Sequence, residues 1–120
     1  MSAGVLTAAA RNRDWERVWE IAGAMGDDAL TRPNAIWDDV ASALRYAEDD
    51  GITAIASCIL EHVLENSFDE YIGRVEAEIA SGNRNMLEAL KRSWKFEQAK
   101  TSANSERWDR IIERWDQVPQ

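Results

Sequence analysis

The chain has 120 residues, 45% of them hydrophobic and 30% charged, with 22 acids against 14 bases for a net charge of −8. That length is one domain's worth, enough to bury roughly two-thirds of the unfolded surface; the apolar content excludes a disordered chain, and no run approaches the ~20 apolar residues of a membrane span. A single cysteine, Cys58, excludes an internal disulfide, and the opening MSAGVLTAAARNR has too short an apolar stretch and the wrong charge order for a secretory signal, so a cytoplasmic location is expected.

Two prolines and six glycines leave few helix breakers. Apolar positions recur at helical rather than alternating spacing, which predicts an all-α fold: a single-domain helical bundle or a short stack of αα-hairpins, about six helices over residues 1–120. The first helical region covers residues 3–25, with Leu6, Ala9 and Ala10 on one stripe and Trp15, Val18, Trp19, Ala22 and Met25 on a second. Asn12 or Asp14 can cap a new start between them, and Gly26 reads as the left-handed residue that ends the second stripe. The next helix opens at Pro33, buries Ile36, Trp37, Val40, Leu44 and Ala47, and ends at Asp49-Asp50-Gly51. A third, over residues 52–65, has the widest apolar face and is expected at the centre of the core. Ser67-Phe68-Asp69-Glu70 has the form of a capping box opening a fourth helix. A fifth starts near Asn85 with Met86, Leu87, Leu90 and Trp94 inward and continues toward Lys100. Residues 101–105 read as a polar linker before a C-terminal helix over residues 105–117, whose Trp108, Ile111, Ile112 and Trp115 form the cleanest apolar stripe. That stripe is expected to fold back beside Leu90 and Trp94 rather than pair with another chain, because so short a tether gives a millimolar-range effective concentration.

The ordered features Pro33 and Trp37, Leu60-Glu61 and Leu64, Ile72 with Val75-Glu76, then Leu90 and Trp94 cover about half of the chain. Together they resemble an uncharacterised bacterial family of small helical domains. The resemblance implies an all-helical fold and no activity or catalytic residue to carry over.

Charge is segregated along the chain: residues 14–78 hold 16 acids against four bases, and the flanking stretches are each mildly basic. The doublets Asp27-Asp28, Asp38-Asp39 and Asp49-Asp50, with Glu48, Glu61, Glu65, Asp69 and Glu70, are therefore the expected acidic docking face. Such a balance disfavours a nucleic-acid ligand, whose phosphates need Lys and Arg, and favours a basic protein partner. All six tryptophans fall on apolar stripes. Core is their default place, and Trp15 and Trp115, nearest the ends of the helical order, are the two expected to serve as partly exposed anchors.

Chemistry-bearing clusters are sparse. Glu61, His62 and Glu65 share a helix face, but one imidazole and two carboxylates fall short of a metal site without a ligand from elsewhere. Glu61 and Glu76 each have an alternative role as acceptors linking helices. Cys58 and His62 lack the third group that would orient a nucleophilic pair, and an unreactive core thiol is the simpler reading. With no phosphate loop, nucleophile elbow or paired C-x-x-C, no catalytic residue, metal or cofactor is expected. The expected function is a non-enzymatic binding protein, monomeric when unbound and without membrane contact. Its most concrete form is a cytoplasmic immunity protein or antitoxin occluding a basic, nuclease-like toxin. A phage or mobile-element inhibitor mimicking nucleic acid is the alternative, and a small metal-dependent enzyme the least supported.

Overall fold

The computed structural model describes residues 2–117; Met1 and residues 118–120 of the expected 1–120 domain lie outside them. Every regular element among these residues is helical. Helix α1 (Ala3–Arg11) is short and alanine-rich, capped by the Ser2 hydroxyl accepting from the Val5 N–H at 3.1 Å. Its Ala3 N–H donates to the Asp39 carboxylate at 2.7 Å, tying its start to a segment 36 residues on. Helix α2 (Trp15–Thr31) opens with Asp14 as its cap, and it runs past Gly26 instead of ending there. Its buried row Val18, Ile21, Ala22, Met25 and Ala29 continues through that position, so packing overrides the local preference of glycine for a stop.

Pro33 opens a 3₁₀ turn (Pro33–Ala35) rather than the helix itself, and α3 (Trp37–Tyr46) follows. Extended backbone at Ala47 ends α3 before the acidic doublet, and the Asn85 amide secures that end by donating to the carbonyls of Leu44 and Ala47 at 2.7 and 3.1 Å. Asp49 and Asp50 thus belong to the first turn of the next helix, where carboxylates complement the helix dipole. This helix, α4, covers residues 49–66: α over Asp49–Ile55, π over Ala56–Leu60, α again over Glu61–Asn66. It packs against α1, α2 and α3 as well as the two helices that follow it, which gives it the central position its apolar face predicts. Gly51 lets α1 approach closely, since a Cβ there would lie 3.1 Å from two carbon atoms of Thr7, tighter than ordinary contact.

Helix α5 (Phe68–Ala80) begins at Ser67, but the capping box does not form. The Phe68 N–H is satisfied by the Gln98 side chain at 3.0 Å, an acceptor distant in sequence. Helix α6 (Arg84–Arg92) stops eight residues before Lys100; an extended stretch and a second 3₁₀ turn (Glu97–Lys100) replace the expected continuation. Helix α7 (Ser102–Asp116) starts with Thr101 accepting from the Asn104 N–H at 3.3 Å, so most of the expected 101–105 linker is its first turn. Its stripe folds back on its own chain as anticipated, with Trp108 and Ile111 in the core and Ile112 and Trp115 packed against it. Among the described residues no helix is long and apolar enough to cross a membrane.

Candidate functional site

The core takes up Trp37 and Trp108, and Trp115 packs at its edge. The other three tryptophans remain outside: Trp15 is 47% exposed, Trp19 71% and Trp94 72%. Trp15 and Trp19 are one helical turn apart on α2, on an edge beside the buried row. The Trp94 backbone N–H donates to the Glu61 carboxylate of α4 at 2.9 Å. The Ser93 hydroxyl donates to the carbonyls of Ala89 and Ala56, the latter at the start of the π segment.

Between α2 and α4 the surface sinks into two shallow depressions that meet at Trp19, Ser57 and Cys58. Trp15, Val18 and Ala54 line one, beside Asp50 and Thr53. Ala22, Gly23, Gly26 and Leu30 line the other, beside Asp27 and His62. The π turn, a helical form that recurs at functional sites, is what presents Ser57 and Cys58 to this trough. No Lys or Arg lines either depression.

Chemically the trough is quiet. Burial, and then the charge of Glu61, push the Cys58 thiol up, the opposite of what a nucleophilic thiolate needs. Glu61 is only 6% exposed, and burial raises its carboxyl against the opposing pull of the Trp94 N–H and His62. It acts as the helix-linking acceptor the sequence allowed, and Glu76 does the same for the Trp115 indole N–H at 3.0 Å. Glu61 is therefore withdrawn from any docking face. His62 sits 2.9 Å from Glu65 and stacks on Phe96 with ring centroids 6.2 Å apart. Among the described residues no group of three or more His, Cys, Asp or Glu side chains could hold a metal ion.

The structure divides the expected acidic face instead of assembling it. Asp27 and Asp50 line the trough, while Asp39 is engaged by the start of α1. Asp28 pairs with Arg32 at 2.7 Å, Asp49 with Arg92 at 2.8 Å, Glu70 with Arg74 at 3.5 Å and Glu48 with Arg11 at 4.0 Å. Asp38 and Glu70 both act on Tyr71, away from the trough, and Asp69 is exposed in the first turn of α5. Trp115 is no free anchor: its indole is bonded to Glu76 and the Arg114 guanidinium lies 5.0 Å over its ring.

Trp19 and Trp94 are the surface residues that the stripes conceal. Including Ile21 and Ala29 in the α2 row moves the centre of its apolar arc, leaving Trp19 roughly 100° away. Trp94 leaves the Leu90 stripe because the helix ends before reaching it. No protein-family model, curated protein or solved structure matches the chain. Function is therefore read from this chain's own surface.

Proposed function

We propose that the protein is a non-enzymatic binding module that docks a basic protein partner on the face formed by Trp15 and Trp19 and the trough beside them. The observation that carries this reading is Trp19, 71% exposed on a helix held at its core face by five buried side chains. Leaving a large indole in water forgoes about 1.5–3 kcal/mol of burial, and tryptophan is the residue most enriched at binding hot spots. Trp15 and Trp19 along one trough make an exposed apolar patch on a chain of net charge −8. Asp27 and Asp50 add negative charge inside the trough, which steers and pairs with Lys or Arg of the partner.

A cytoplasmic immunity protein or antitoxin that covers a basic toxin is the concrete form of this proposal, because occlusion needs a rigid scaffold, aromatic anchors and no catalysis. Nucleic-acid mimicry is less well supported, since a row of free carboxylates is interrupted by the pairs Asp28–Arg32, Asp49–Arg92 and Glu70–Arg74. The test is affinity capture from cells that produce the protein, followed by titration of the isolated partner. Trp15→Ala and Trp19→Ala are each expected to weaken binding by about tenfold or more, while Tyr46→Ala, removing a ring 84% exposed away from the trough, changes it less than about twofold. Equal effects at all three positions would refute the tryptophan face.

A further inference from the structure

We infer that the segment of the partner seated in the trough is a short cationic amphipathic helix, about three turns long, with a Lys or Arg toward each end and apolar residues on one face between. This rests on the binding reading above and specifies its occupant.

Three observations lead to it. The first is charge placement: Asp50 lies at the Trp15 end and Asp27 beside Gly26 and Leu30 at the other, with neither in an ion pair among the described residues. Along α2 the interval from Trp15 to Asp27 corresponds to about 18 Å, the rise of a helix of about twelve residues. An occupant with cations that far apart satisfies both carboxylates at once. The second is the wall chemistry. Both sides of the trough are helices whose backbone groups are already bonded within them, so no open edge of N–H and C=O groups exists to hold an extended strand. A helix brings its own backbone bonds satisfied and needs only an apolar face. The third is access. Gly23 is exposed and a Cβ added there would meet no atom within 4 Å, so the surface beside Trp19 is open to the occupant's side chains.

The experiment uses a blocked synthetic peptide of about 14 residues, with two arginines about eleven positions apart and three leucines between them on the same helical face. Binding to the full chain is followed by tryptophan emission and peptide helicity by circular dichroism. The peptide is expected to gain helix on binding. Asp27→Asn and Asp50→Asn should each weaken it about three- to tenfold, and Gly23→Gln, which adds a side chain at an exposed position lining the trough, about tenfold or more. A same-composition peptide with leucines scattered around the helix, and one with a central proline, should each bind at least about tenfold more weakly. Equal binding of either control, or an unchanged affinity in the Asp27→Asn/Asp50→Asn double variant, would overturn the helical occupant. If that happens while Trp19→Ala still releases the natural partner, the occupant is wrong and the binding face stands; if Trp19→Ala has no effect either, both fall.

Discussion

Helices α2 and α7 each carry a pair of tryptophans, and the two pairs have opposite fates. On α7, Trp108 is 2% exposed and covered by the Lys95 ammonium 5.7 Å above its ring, while Trp115 hands its indole proton to Glu76. On α2, Trp15 and Trp19 stand beside a buried row that is complete without them. An indole enters the core when the apolar arc of its helix is centred on it and a neighbour can meet its N–H. It stays outside when smaller residues already fill that arc. The α7 pair therefore holds the fold together, and the α2 pair is free for another molecule.

The largest expected effect separates the two pairs directly. Trp108→Ala should destabilise the protein by about 3–5 kcal/mol in denaturant unfolding, as large-to-small core changes do, whereas Trp19→Ala should stay within about 0.5 kcal/mol. Comparable losses would erase the distinction. Next in size is the polar handle of α7: Trp115→Phe keeps most of the packing but removes the bond to Glu76, and about 0.5–1.5 kcal/mol should be lost. In the opposite direction, Gly23→Ala on α2 should raise stability by about 0.5–1 kcal/mol, because the added methyl meets open space and helix interiors favour alanine. A loss there would show that Gly23 is tightly packed.

The smallest effect concerns the Glu61 carboxylate that fixes Trp94 beside α4. Its carboxyl is held above the ordinary 4.5, so the folded chain binds this proton more tightly than the unfolded one. The resulting stabilisation is complete at pH values below that ordinary value and is lost as pH rises through the raised folded value. Glu61→Gln keeps an acceptor for the Trp94 N–H and removes the titration. The stability difference between variant and wild type should therefore shift in favour of the variant as pH rises across that window, read from urea midpoints, and a constant difference would show that Glu61 titrates normally.

How much of this was legible in the sequence depends on whether the deciding contact is local. The α7 stripe, the central placement of α4 and the acceptor roles of Glu61 and Glu76 follow from spacing alone. The continuation of α2 through Gly26 was not legible, because glycine reads locally as a stop and the buried row that runs on to Ala29 overrides it. The end of α6 was not, because it is set by Glu61, more than thirty residues earlier, taking the Trp94 N–H. At the start of α5 the Phe68 N–H likewise finds its acceptor in Gln98, thirty residues on. Local sequence cannot weigh such distant partners, and the Asp49–Arg92 and Glu48–Arg11 pairs that break up the acidic face are of that kind, whereas Asp28–Arg32 and Glu70–Arg74 lie one helical turn apart. The trough was hidden twice over, by a π turn that pattern reading does not anticipate and by an arc drawn without Ile21.

Hydroxyl-radical footprinting with mass-spectrometric readout tests the central claim most directly, since it reports the solvent access of each tryptophan in one experiment. In the free protein Trp19 and Trp94 should be heavily modified, Trp15 moderately, and Trp37 and Trp108 scarcely, with Trp15 and Trp19 becoming protected when the partner is bound. Trp19 and Trp94 as inert as Trp108 in the free protein, or undiminished reactivity at both Trp15 and Trp19 in the complex, would contradict the account.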